Sequence, residues 1–508
     1  MKKLLKNKTA AVLVFAMLVS VFTPIIAFAA TINTSFSSNT ISGSVTLTDD
    51  EYNALNGANT ITIGVYGAKG LLSNVQATYS GKDGIFTFAP VTISEDTYLQ
   101  YGTVTSETYD YSSGYYGGGG GFFPIDVINA DGTVNRDALI NLFNANADAT
   151  VNSKSEVVLL PADALLKGKS LTIVLENGTS YTLPIAALKL EELAKSLGVE
   201  LKDLVIRVEL KKVTGDAADK IAAAVTKAGG TQVAPAVDFK VVAVAGTKEQ
   251  EITTFGQYVT RTIGLNEAAA DTTGLVGVLY NPTTGEVTFV PSTFKTENNK
   301  TTATLKRNGN SIYTVIQTKA VSFADLAGSW AQKDVEALAS KFIVKGTSAT
   351  AFEPKRNITR AEFAALVVRA LGLEVSGSTS KFKDVASNKW YAATVATAVN
   401  AGLITGYEDG TFKPNANITR KELSAIVARA IKFAGKDVTL TDAQVSAALA
   451  SFKDADSLGW AKGEVAVVVS EGIVKGQTAT MVVGNANANR AEAATMIARF
   501  LGNVGFIQ

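Results

Sequence analysis

Three arginines, Arg360, Arg420 and Arg490, recur in one context along the last third of this chain. They stand in Thr359-Arg360-Ala361-Glu362, Thr419-Arg420-Lys421-Glu422 and Asn489-Arg490-Ala491-Glu492. The flanking residues read as a capping box: the Thr or Asn caps a helix, and the Glu returns a bond to the cap's backbone. The box does not ask for the Arg, which falls at the first helical position, where the macrodipole disfavours a cation. A guanidinium beside free helix-start N–H groups is suited to binding an anion. The alternative is an intramolecular strut to the carboxylate of a Phe-x-Asp motif present in every copy, at Asp325, Asp384 and Asp454.

Other residues hold the same register. The three tryptophans, Trp330, Trp390 and Trp460, are each followed sixteen residues later by Gly346, Gly406 or Gly476, and fourteen residues after that by the Arg. A Trp at the start of an amphipathic helix reads as core, with one edge available to a sugar. The glycines read as left-handed ends of the first helix in each copy. Tyr407, in the polar turn from Gly406 to Pro414, is placed to stack on a sugar ring.

The elements that position these residues are helical. After each Trp, apolar residues recur at helical spacing (Val335, Leu338, Ala339; Val395, Ala398, Val399; Val465, Val468, Val469). After each Arg a second stripe follows (Phe363, Leu366, Val367; Leu423, Ile426, Val427; Ala493, Met496, Ile497). Each copy is therefore helix, glycine-marked loop, helix. A unit of about 50–60 residues cannot bury both stripes alone, whereas three packed around a shared axis can.

On the Phe-x-Asp…Trp motif, the Gly406 to Pro414 loop and Ile358-Thr359-Arg360-Ala361-Glu362, residues 321–501 resemble a tandem of three S-layer homology domains. The resemblance implies a pseudo-trimeric spindle with a central helical bundle. It also implies non-covalent binding, in grooves between copies, to secondary cell-wall polysaccharide bearing a pyruvate ketal. Arg360, Arg420 and Arg490 would then contact the acidic sugar, with the Asp, Gly and Trp positions shaping the grooves. Repeat three departs from the pattern. It has Val482-Val483-Gly484 where the others have Phe352-Glu353-Pro354 and Phe412-Lys413-Pro414, Asn489 for Thr, and a longer preceding connection, Ala434 to Ala450. These departures imply a weaker or silent third groove.

The chain opens with Lys2, Lys3, Lys6 and Lys8, an apolar run from Ala10 to Val21, and Ala27-Phe28-Ala29. This predicts a cleaved signal peptide over 1–30 and no membrane association afterwards. Among 508 residues there is no cysteine and no histidine. That excludes disulfides, thiolate nucleophiles, Ser-His-Asp arrangements and the usual zinc ligands, and no cofactor is expected. A net charge of +1 gives no footprint for nucleic acid.

The expected fold is multidomain: all-β sandwich-like modules followed by an α-helical three-repeat anchor. Period-two runs such as Thr60 to Ile63 and Ile85 to Phe88 predict a β module over 31–130 that ends in a Tyr/Gly-rich tip. Residues 131–320 read as a β-rich stalk with two short helices and three hairpins, turning at Asn177-Gly178, Asn281 to Gly285 and Asn308-Gly309. Within it, the region from about Val157 to Thr318 resembles the β-rich stalk often found directly upstream of such anchors in exported proteins. The repeats span 321–375, 380–434 and 450–503. Three functions fit: a surface-layer or wall-associated structural protein whose copies can assemble in an array; an adhesin using residues 31–130; and an anchored glycan-active enzyme. The first fits best, because residues 31–320 have no histidine and no tryptophan platform, hold no stretch long enough for a (β/α)₈ barrel of ~250 residues, and show no spacing that singles out a carboxylate pair.

Overall fold

The computed structural model describes residues 31–105 and 127–508, apart from 38–39, 48–51, 54, 56, 68–69, 82–83, 93–96, 102–103, 130 and 376–379. The expected signal peptide and the Tyr/Gly-rich tip lie outside the described residues. Among those described, no helix is long and apolar enough to cross a membrane. The chain divides into two compact units, 1–124 and 125–508.

In the first unit, seven antiparallel strands form one sheet. Their order is Thr31–Ser37, Thr40–Thr46, Ile85–Thr92, Gly70–Tyr79, Thr60–Gly67, Thr97–Tyr101 and Val104–Thr105. Alternation places Ile41, Val45, Ile61, Ile63, Phe86 and Phe88 in its core.

The second unit begins as two sheets packed face to face. One runs Ser292–Glu297, Lys300–Gly309, Thr254–Gly264, Ser180–Pro184, Ser170–Leu175, Asp148–Ser153. The other runs Glu286–Val290, Leu275–Asn281, Ser311–Thr318, Val237–Ala245, Val205–Lys212, Val157–Pro161. Leu171, Ile173 and Leu305 of the first meet Ile206, Phe239 and Val315 of the second in one core. The two expected helices form at Leu190–Leu197 and Asp216–Lys227.

Two of the three expected hairpins form, pairing Leu171 with Leu183 and Val278 with Phe289. The third does not. At Asn308-Gly309 the chain crosses from one sheet to the other, since Lys300–Gly309 pairs with Thr254–Gly264 and Ser311–Thr318 with Leu275–Asn281. The buried Arg261 fixes the crossing by donating to Gly309 O at 2.6 Å and Asn310 Oδ1 at 3.0 Å. The hairpin actually made there turns at Asn298 and Asn299, both at positive φ, and pairs Glu297 with Lys300.

The expected boundary at residue 320 is not a joint between separate cores. Tyr280, Phe289 and Ile316 share a core with Leu371, Ile431 and Phe506 of the repeats. Tyr258 Oη donates to Leu371 O at 2.7 Å, and Ser292 N–H donates to Phe506 O at 2.9 Å. Gly372, at φ +62°, lies so close that a Cβ there would be 2.6 Å from Pro291 Cδ.

Each repeat is a helix pair: Gln332–Ser340 with Arg360–Ala370, Ala392–Asn400 with Arg420–Phe433, and Lys462–Ser470 with Arg490–Asn503. The long connection before repeat three folds into an extra helix, Asp442–Leu449, with its own capping box from Thr441 and Gln444. A ring of backbone bonds joins the copies in cyclic order. Ile358 N–H donates to Ala488 O, Ala488 N–H to Ile418 O, and Ile418 N–H to Ile358 O, at 3.0, 2.9 and 3.1 Å.

Candidate functional site

All three capping boxes form, Asn489 included. The helix-start N–H groups are nevertheless not free for an anion. Arg360 N–H donates to Ala416 O and Ala361 N–H to Pro414 O. The same two bonds run from Arg420 and Lys421 to Ala486 and Gly484, and from Arg490 and Ala491 to Arg356 and Pro354. Each helix start is thus sealed by the loop of the next repeat, and only the guanidiniums can offer donors to a ligand.

Those guanidiniums also reach the next repeat, though not the Phe-x-Asp carboxylate. Arg360 Nη1 pairs with the capping-box Glu422 at 3.0 Å, and its Nε donates to Phe412 O at 2.9 Å. Arg420 repeats this with Glu492 at 2.5 Å and Val482 O at 3.0 Å. Arg490 differs. Its Nε and Nη2 donate to Phe352 O and Lys345 O, both at 2.8 Å, but Nη1 lies 3.9 Å from Glu362. Glu362 is held instead by Arg356 at 2.6 Å. Burial raises the Glu362 carboxyl, but the bonds from Arg356 and Thr359 outweigh it and leave it below the usual range. Burial and the nearby Arg356 charge work against the charge on Arg490 and outweigh the help of Glu362, Glu353 and Asp325, so an added anion would stabilise it.

Asp325, Asp384 and Asp454 act on the loop instead. Their carboxylates accept the backbone N–H groups of Phe352 and Glu353, Phe412 and Lys413, and Val482 and Val483, at 2.7–3.1 Å. Glu353, Lys413 and Val483 sit at positive φ, and the carboxylate secures that turn. Repeat three keeps it without Phe or Pro. None of the three aspartates lines a groove between repeats.

The glycines are not helix ends either. Phe342, Gly402 and Gly472 take the left-handed conformation there. Gly346, Gly406 and Gly476 are required by close approach to the Phe-x-Asp ring. A Cβ would lie 2.5 Å from Phe323 Cε1, 2.1 Å from Phe382 Cε1 and 2.7 Å from Phe452 Cε1.

The tryptophans, expected in the core, are 66%, 62% and 60% exposed. Each forms a wall of a groove to which all three repeats contribute. Trp330, Arg420 and Gly476 line one of about 450 Å³. Trp460, Arg360 and Gly406 line another of about 760 Å³. Trp390, Arg490 and Gly346 line the third, about 270 Å³. The order is cyclic, so every repeat contributes to every groove and none belongs to repeat three alone.

Charge separates the grooves. Lys345, Arg356, Arg369 and Arg490 face a single acid, Glu362, in the Arg490 groove. Arg420, Lys475 and Arg499 face Glu492 in the Arg420 groove. In the Arg360 groove three cations meet three acids, Glu408, Asp409 and Glu422. Tyr407 lies there too, but its hydroxyl donates to Glu422 at 2.9 Å, and its ring already meets Arg360 and Lys413 at 4.7 and 4.2 Å. A second arginine, nine residues after the first in every copy, also lines each groove: Arg369, Arg429 and Arg499. Its signal was the same three-fold register.

The S-layer homology domain model matches residues 322–364, 381–424 and 451–494. The chain carries three S-layer homology domains. It is 34% identical over 249 residues to an amylopullulanase of Thermoanaerobacterium thermosulfurigenes, covering 48% of this chain and 13% of that protein. It is 31% identical over 179 residues to a surface-layer 125 kDa protein of Lysinibacillus sphaericus, covering 34% of this chain and 14% of that one. A cellulosome-anchoring protein of Acetivibrio thermocellus is 31% identical over 162 residues, 31% of this chain and 35% of the relative. The chain thus spans only a small part of each relative's length. Relatives named as enzymes and as surface or anchoring proteins share this region, so the S-layer homology domains mark anchoring at the cell surface rather than a particular activity. The protein is secreted and resides at the cell surface or wall.

Proposed function

We propose that this chain is a non-enzymatic structural protein of the bacterial surface, held non-covalently by acidic, pyruvylated secondary cell-wall polysaccharide in the three grooves. The observation that supports this is the composition of each groove: an exposed Trp from one repeat, a guanidinium from a second and the glycine loop of a third. A solvated indole face suits a sugar ring, and the cation beside it suits a carboxylate. Arg360, Arg420 and Arg490 keep a double role, closing the ring of repeats and presenting charge to the groove. The glycines keep the loop close to the Phe ring, and the aspartates act through that loop. The β-rich units then project from the wall, and a surface array of copies is the natural extension.

The test is retention of the full chain on purified walls, wild type against a triple variant with Trp330, Trp390 and Trp460 changed to Ala. Loss of retention with an unchanged melting transition supports the grooves as the site. Full retention places the wall contact elsewhere.

A further inference from the structure

A fourth cleft lies beside the Arg490 groove, between repeat 1 and the β sandwich. It measures about 570 Å³ and is lined on the sandwich side by Lys227, Leu279, Val287 and Phe289, and on the repeat side by Lys345, Arg369 and Leu373. Lys345 and Arg369 line the Arg490 groove as well, so the two spaces meet along shared walls.

We propose that this cleft is an extension subsite in which the same acidic glycan chain continues past the Arg490 groove, so that the β sandwich takes part in wall binding. The inference rests on the wall-polysaccharide reading above. Three observations carry it. The first is the charge of Arg369. Its counterparts are satisfied, Arg429 by Glu464 at 3.5 Å and Arg499 by Ile473 O at 3.2 Å. Among the described residues Arg369 has neither an ion pair nor a hydrogen bond from its guanidinium, and burial works against its charge. A partly buried cation without an acid gains most from an anion brought by a ligand.

The second is size. At about 270 Å³ the Arg490 groove falls just below the ~300–1,000 Å³ of typical ligand pockets. The adjoining cleft, at about 570 Å³, adds room for further sugar units. The third is chemistry. Apolar walls from Leu279, Phe289 and Leu373 suit the carbon faces of sugar rings; of the charged residues lining the cleft, Glu374 is paired with Arg307 at 3.0 Å, which leaves Lys227, Lys345 and Arg369 against the one acid Glu286 to meet acidic substituents. The shared core beneath, with Tyr258 bonded to Leu371 O, fixes the two walls relative to each other.

The test uses the full chain with Lys227→Glu and Thr288→Glu combined. Both positions are exposed, and neither lines a groove between repeats. Binding is measured to purified wall polysaccharide cleaved into short fragments of one or two repeat units and into long fragments. The expected result is unchanged affinity for short fragments and a loss of at least ~10-fold for long ones, since a linked subsite contributes ~10²–10⁴ and the two glutamates need remove only part of it. Equal affinity for long fragments, or equal loss at both lengths, overturns the extension while leaving the grooves intact. A wild-type chain that binds neither length refutes the wall-polysaccharide reading and this inference with it.

Discussion

The three helix-start arginines are alike in sequence and unlike in surroundings, so their Ala variants should separate. In Arg420→Ala, Glu492 loses a partner at 2.5 Å in a place where both side chains are largely buried. Removing one member of such a pair costs about 3–5 kcal/mol, because the other charge stays desolvated. In Arg490→Ala, Glu362 keeps Arg356 at 2.6 Å, and what is lost is two bonds to carbonyls at the edge of an open groove. That cost should be about 1–2 kcal/mol. Ligand binding should follow the opposite order. Among the described residues Arg490 Nη1 makes no hydrogen bond, and it faces the most cationic groove, so its loss should remove one charge-assisted contact of ~1.5–3 kcal/mol, or roughly 10- to 150-fold. Arg360→Ala should cost little affinity, because its groove carries equal charges of both signs. Denaturant unfolding of the full chain gives the stabilities, and titration with soluble wall-polysaccharide fragments gives the affinities. Glu492→Ala added to Arg420→Ala should restore part of the lost stability. Arg490→Ala as destabilising as Arg420→Ala, or Arg360→Ala losing more affinity than Arg490→Ala, would refute the reasoning.

Gly406→Ala should destabilise by ~1–3 kcal/mol, because its Cβ would overlap Phe382; Gly502→Ala, with open space around it, should leave the unfolding midpoint unchanged or slightly higher. Trp390→Ala should leave the midpoint within about 0.5 kcal/mol, as exposed positions do, while weakening fragment binding in the titration. Asp325, Glu362 and Glu422 are all held below their ordinary range: burial pushes each up, and hydrogen bonds outweigh it. Depressed carboxyls contribute stability above their unfolded values that is lost as pH falls through the folded ones. Denaturant midpoints should therefore hold from neutral pH to about 5 and fall below ~4.5. A midpoint rising on acidification contradicts the assignment.

The paired helices of the repeats and their caps are legible in the sequence, because each is set by residues three or four apart, and the three-fold register is legible from Trp, Gly and Arg recurring at fixed offsets. What the arginines touch is not. Glu422 lies in the following repeat, and only the cyclic packing brings it to Arg360. The tryptophans looked like core because they open an amphipathic helix, yet they stand before its first turn and face the neighbouring copy. Gly346 and Gly406 have a sequence position that suits a helix end, and only the approach of Phe323 and Phe382 reveals why glycine is needed. Asn308-Gly309 carries correct turn chemistry, but the strands on either side are claimed by different sheets, a choice made by Arg261 about fifty residues away.

The most direct test of the central claim is co-sedimentation of the full chain with purified cell walls, before and after mild acid removes pyruvate ketals. The full chain is required, because cutting near residue 320 would expose Phe289 and Phe506 from a shared core. Binding abolished by depyruvylation is the predicted result. Undiminished binding to depyruvylated walls would contradict the claim and leave the three arginines as struts between repeats.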